Sequence, residues 1–227
     1  MIPWDDVRAA IKPLRFIFWG GILWIFDLTF TTTTNGTGFR CDVLDDTVGT
    51  ILITVGVFRL AKAPVPGKYS AVMSFVKAVA IASIGETAMK HFIFEHPAPL
   101  DFVLSVLSLC QLAATILFCL AMKWFCDAAA LPRPAASWKL TFLLFCFIYA
   151  LPLGFFYMGS LLAIVGQTSF NVDLGIGGLL LLPVFALPLI HLFVSTSRLK
   201  RAAESGIAGD LGQRGFPVVL PPDDGSR

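Results

Sequence analysis

The chain has 227 residues, 56% of them apolar and only 14% charged, with 17 Lys and Arg against 15 Asp and Glu and a mean hydropathy of +0.79. Soluble domains carry about a quarter charged residues, so this composition argues against a water-soluble globule. It also argues against a nucleic-acid binder, which draws its affinity from clustered cations, and a disordered chain, which needs low hydrophobicity.

A helix that crosses a bilayer needs about 20 mostly apolar residues. Ahead of the first such stretch, Trp4, Val7, Ile11 and Leu14 recur at helical spacing among Asp5, Asp6, Arg8 and Lys12. That pattern predicts an interfacial amphipathic segment over 1–13, lying on the inner leaflet, with Pro3 at a tolerated first-turn position. The first span is expected over 14–31, around the uncharged run Phe16–Phe26. A cleaved signal peptide is the alternative, but Thr31–Gly38 offers no Ala-x-Ala-like site, which favours a retained helix. Asn35-Gly36 reads as a turn, and with Thr37 it also matches a glycosylation sequon.

The second span is expected over 43–61, with a re-entrant half-span as the alternative. Arg15 and Arg59 can snorkel to the headgroups and so let both weaker windows count as full spans. Asp45 and Asp46 stand at the start of this helix, where carboxylates cap free amides and oppose the dipole. Asp42, Asp45 and Asp46 together would otherwise form an acidic mouth for a cation. Gly49 and Gly56 are seven residues apart, hence on one face, and let another helix approach closely.

The third window, 69–94, carries Lys77, Glu86 and Lys90. At 100° per residue Ser70, Ser74 and Lys77 share a face in its inner half, and Ser83, Glu86 and Lys90 lie on roughly the opposite face in its outer half. Glu86 and Lys90 can pair; Lys77, nine residues from Glu86, cannot. Ser74-x-x-Lys77 has the spacing of a nucleophile and its base, although Ser in a membrane helix commonly bonds back to its own backbone and Lys77 can simply snorkel. Beyond this span His91, Glu95 and His96, with Asp101 following, are residue types that hold zinc, but no second matched cluster accompanies them and no metal is assigned.

The fourth span, 100–122, has a stripe of Ser105, Ser108, Gln111, Thr115 and Cys119 within about 120° of arc. Such a stripe packs helices through interhelical hydrogen bonds, or lines a hydrated interior if the Lys77 or Glu86 face turns toward it. The fifth span, 139–165, is interrupted by Pro152, and the sixth, 174–196, by Pro183 and Pro188, with His191 near the inner boundary as a packing histidine. Broken helices build ion sites, yet proline is also ordinary in membrane helices. Residues 198–227 read as a disordered cytoplasmic tail whose basic start sits on anionic lipid.

Cytoplasmic loops are enriched in Lys and Arg. With the N-terminus inside, 14 of the 17 cations fall on the cytoplasmic side, Arg40 and Lys90 outside, and Lys77 within a span. The fold class is therefore an all-α membrane protein, a bundle of about six transmembrane helices over 14–197, with both termini cytoplasmic and no extramembrane domain. Cys110, Cys119 and Cys146 fall in spans, Cys126 at a helix end and Cys41 alone outside, so they form no disulfide framework and read as small buried hydrophobes. No CxxC, HExxH, Walker loop or GxSxG occurs, and Gly175-Ile-Gly177-Gly178 follows no strand, so no cofactor is expected.

The stretch Gly38–Leu60 resembles a signature of small polytopic bacterial membrane proteins, G-F-x-x-D-I-L-P-D-x-I-G-x-I-L-I-x-x-G-L-x-x-L. Asp42, Leu44, Asp46, Gly49, Ile51, Leu52, Ile53, Gly56 and Leu60 match it, and Asp45 stands where the signature has Pro. The resemblance covers about a tenth of the chain and implies a bacterial inner-membrane protein without implying a reaction. Three functions stay open: a non-enzymatic transporter-like or accessory subunit with Lys77, Glu86, Lys90, Ser105, Ser108, Gln111 and Thr115 in its polar interior; an intramembrane hydrolase using Ser74 and Lys77; and a structural partner assembling through Gly49 and Gly56. The expected associations are the lipid bilayer, anionic lipid at the inner leaflet, and a membrane-protein partner or second copy, with no nucleic acid.

Overall fold

Two acidic residues, Asp5 and Asp6, occupy the first turn of helix α1 (Trp4–Ile25), where carboxylates oppose the positive end of the helix dipole. The computed structural model describes residues 2–25, 29–34, 37–42, 46–65, 67–92, 98–156 and 177–213. After α1 come strands β1 (Thr29–Thr34) and β2 (Thr37–Asp42), then α2 (Asp46–Leu60), α3 (Lys68–Phe92) and α4 (Ala98–Ala128). Helix α5 starts at Pro132, widens through a π-turn at Cys146–Ala150 and runs to Phe156; α6 spans Gly177–Gln213. Each helix packs on the next, and α6 returns to α1 and closes a ring. Among the described residues, Lys68–Met89, Phe102–Ala128 and Pro132–Phe156 are long and apolar enough to cross a membrane. The chain is thus a predominantly helical membrane protein.

Several expected boundaries shift. The amphipathic segment and the first span are one helix with Pro13 inside it, and that helix stops at Ile25 rather than 31. Its apolar face does not lie on lipid: Val7, Ala10 and Leu14 are buried in the same core as Leu60, Tyr69, Phe125 and Leu199. An apolar stripe reads alike whether protein or acyl chains cover it. Thr29–Asp42 form an antiparallel hairpin pairing Thr29 with Asp42 and Thr34 with Thr37, because a run of β-branched threonines ahead of Asn-Gly favours strands over helix. Asp42 is the last residue of β2 and Asp46 the first residue of α2, and Asp45 lies outside the described residues. The expected disordered tail is helical as far as Gln213, since Leu199 and Ala203 are wholly buried and hold that segment on the core.

The turns show why the helices end where they do. The α4 C-terminus closes as a Schellman motif: Leu131 N–H bonds the Cys126 carbonyl at 2.9 Å and Ala130 N–H that of Asp127 at 3.0 Å, with Ala130 at φ 57°. Pro132 then opens α5, where its missing N–H is not needed. Between α2 and α3, the Leu60 carbonyl accepts from the Ala63 N–H at 3.0 Å and from the buried Tyr69 hydroxyl at 2.7 Å, which ties the start of α3 to the end of α2. In α5 the π-turn lets Leu151 N–H reach the Cys146 carbonyl just before Pro152, a proline a regular helix accommodates only by bending. Tyr149, in that turn, donates to the Phe185 carbonyl at 2.6 Å, beside Pro188 of α6, which has no N–H for Val184.

Helices α1 and α2 meet at glycines. A Cβ on Gly20 would come within 2.5 Å of the Gly49 carbonyl oxygen, and one on Gly56 within 2.6 Å of the Pro13 carbonyl oxygen. Backbone thus meets backbone along this crossing. The Gly49 and Gly56 face is occupied by this chain's own first helix.

Candidate functional site

Three helices bring polar side chains together at Glu86. On α3, Ser83, Glu86 and Thr87 fall within one turn; α4 supplies Gln111, and α2 supplies Thr50 and Thr54. Glu86 is only 4% exposed. The Gln111 side-chain amide donates to Glu86 Oε2 and also to Ser83 Oγ at 3.0 Å, so both of its N–H bonds are used across the α3–α4 interface. Thr50 and Thr87 hydroxyls lie 3.4 Å apart, and Thr54 Oγ1 donates to the Thr50 carbonyl at 2.8 Å and reaches the Ala80 carbonyl at 3.3 Å. Gln111 lies about 18 Å along α4 from Lys123 (12 residues at about 1.5 Å each), which sets the cluster well away from the basic end.

The Glu86 carboxyl is thus tied to the neighbouring helix through a side-chain amide. A buried carboxylate needs hydrogen-bond donors or an opposite charge, and the Gln111 amide supplies one donor from α4. The hydroxyls of Ser83, Thr87, Thr50 and Thr54 all bond backbone or one another and can each donate or accept.

The remaining sequence candidates fall elsewhere. Lys77 is half-buried with Nζ 5.7 Å from the centre of the Phe58 ring on α2, not on the Glu86 face. Ser74 is exposed and its hydroxyl donates to the Ser70 carbonyl at 2.9 Å, so among the described residues it forms no bond with Lys77. Ser108 and Thr115 bond the carbonyls of Leu104 and Gln111 within α4, and Ser105 is exposed. The side chains of Lys90, His91, Glu95 and His96 lie outside the described residues.

A second polar group sits between α5 and α6. Ser137, Thr141 and Ser195 are buried, with Ser195 Oγ 2.8 Å from both other hydroxyls, and Thr141 Oγ1 lies 2.9 Å from His191 Nδ1. Arg198 Nη1 donates to Ser137 Oγ at 3.2 Å. No water-filled route is needed to explain it: each hydroxyl meets a partner on the other helix, as polar residues do where they hold membrane helices together. The sequence signal for this group was the four-residue spacing of Ser137 with Thr141 and of His191 with Ser195. Thr50 and Thr54 carry the same spacing on α2.

Compared with protein-family models, curated proteins and solved structures, the chain matches none.

Proposed function

We propose that this is a small non-enzymatic membrane protein, a transporter-like or accessory subunit, in which Glu86 is the proton- or cation-accepting group of a polar bundle interior. The observation that carries the reading is the buried Glu86 carboxyl held by an amide that also holds Ser83. Ionisable groups within spans are costly to keep and are the usual functional residues of membrane proteins. Six crossings with both termini in the cytoplasm complete the reading. The bias of 14 of 17 cations toward one side supports it, as does the hairpin at 29–42, whose outer edges pair with no further strand among the described residues and so belong in water or headgroups rather than in lipid. A bacterial inner membrane follows from the resemblance of Gly38–Leu60.

The alternatives have less behind them. The Ser74 hydroxyl is engaged by its own helix, which speaks against a Ser74–Lys77 hydrolase. The Gly49 and Gly56 face is filled by α1, which speaks against assembly through it. The test is proton and monovalent-cation flux in liposomes reconstituted with the unaltered protein, Glu86→Gln and Lys77→Ala. Flux that Glu86→Gln reduces at least tenfold and Lys77→Ala leaves within twofold supports the reading. Negligible, equal flux in all three overturns transport.

A further inference from the structure

Between α1 and α6, at the basic end of the bundle, lies a groove of about 670 Å³, a volume typical of small-molecule sites. Arg8, Lys12, Arg15 and Trp19 follow one another at helical spacing along its α1 wall, and Lys200 faces them from α6. All four cations are exposed. Among the described residues the lining holds one carboxylate, Glu204, which is 3.6 Å from Lys200 and also exposed, so three of the four cations have no counter-charge from the described lining. Phe16 continues the wall, half-buried, with Lys12 Nζ 6.0 Å and the Arg59 guanidinium 5.4 Å from its ring centre. Trp19 stands about 6 Å further along the helix than Arg15 (four residues at about 1.5 Å each) and is 53% exposed.

We infer that this groove binds one anionic diacyl phospholipid, its headgroup phosphate among Arg8, Lys12, Arg15 and Lys200 and an acyl chain along Phe16 and Trp19. Two chemistries meet here in the order that a lipid presents them. The cations lie toward the aqueous end, where basic pockets between membrane helices hold anionic headgroups. The aromatic wall lies toward the bilayer core, where an indole commonly marks the interface. A soluble anion would satisfy the charges and leave the aromatic wall without a role; a zwitterionic lipid would bring its own cation into a surplus of positive charge. The inference rests on the proposed topology only in that the basic end lies at a membrane surface, and it does not depend on Glu86.

The test uses the full chain in detergent micelles, titrated with phosphatidylglycerol or phosphatidylcholine brominated on the acyl chains, which quench a neighbouring indole. Brominated phosphatidylglycerol is expected to quench at about one-tenth the concentration that phosphatidylcholine requires. Trp19→Phe should remove that quenching component. Lys12→Gln with Arg15→Gln should bring the two lipids within twofold of each other, and so should Arg8→Gln with Lys200→Gln, an independent pair of exposed positions. Equal quenching by both lipids in the unaltered protein, or a preference that survives both charge variants, overturns the inference. So does inorganic phosphate that protects the protein against heat while the two lipids quench alike, because the cluster would then belong to a soluble anion. Loss of flux in Glu86→Gln with lipid preference intact separates this groove from the proposed function.

Discussion

Among the described residues, Ala130 is the non-glycine residue with a positive φ. It sits at φ 57°, in the left-handed position that ends α4, where its Cβ crowds the neighbouring carbonyl and glycine is the usual occupant. Ala130→Gly should therefore stabilise the protein by about 1 kcal/mol, seen as a higher midpoint of thermal unfolding in micelles. The hydroxyl group between α5 and α6 gives the opposite expectation. Thr141→Val keeps the shape but takes partners from Ser195 and His191, and should destabilise by about 1–2 kcal/mol. If the cluster only joins the helices, flux through the reconstituted protein should stay within twofold of normal. At Glu86, angular arithmetic alone sets Ser83 and Glu86 on one face of α3 and Gln111 in the stripe of α4. What a sequence does not carry is the rotation of one helix against the other, and that rotation brings Gln111 to Glu86 while leaving Lys77 beside Phe58.

At the scale of elements, the glycines separate into two kinds. Gly56 presses on the backbone of α1 at Pro13 and Ile17, whereas a Cβ on Gly85 of α3 would meet nothing within 4 Å. Gly56→Ala should force α1 and α2 apart at about 1–3 kcal/mol; Gly85→Ala should be neutral or stabilising by up to about 1 kcal/mol. Both are measured by unfolding in the same micelles, and equal losses would mean that the α1–α2 contact contributes little. The long apolar windows were legible because a bilayer demands a continuous run of about 20 residues, and such runs are hard to miss. Short amphipathic pieces were not. Residues 4–14 carry a face that suits lipid as well as protein, and only the burial of Val7 and Leu14 among residues from α2, α3, α4 and α6 decides between them. Residues 198–206 hold just three apolar side chains, Leu199, Ala202 and Ala203, among charges, too sparse a signal to separate packed helix from free tail. The hairpin was hidden for a different reason: Thr29–Thr34 continue from an apolar helix, and the change from helix to strand rests on β-branching rather than on polarity.

The described helices close into a ring, and at its basic end Val7, Leu60, Tyr69, Phe125, Trp138 and Leu199 join one core. Away from that end the helices present large apolar side chains outward, among them Phe102, Phe147 and Phe155 at 71%, 62% and 70% exposure, the pattern expected where acyl chains rather than water cover the surface. The proposed topology predicts that reporters fused within 61–67 and at 129–131 report from the cytoplasm and that one at Asn35-Gly36 reports from the opposite side. Opposite placement of the first two would undo it. Helix α6 has 37 residues, about 55 Å at 1.5 Å each, nearly twice the hydrocarbon thickness, so it reaches beyond the bilayer to pack on α1.

That return contact has a bearing on biosynthesis. Ile2 N–H bonds the Ala128 carbonyl at 3.2 Å, and the Trp4 ring lies flat against Gly206, so segments made early are fastened by segments made late. While the ribosome is still working, α1 has α2 beside it but must wait for the remaining mates of Val7 and Leu14. A translation product halted before α6 would leave that half-covered helix for insertion machinery or proteases to find, and crosslinks from Trp4 to such factors should vanish once Gly206 has emerged.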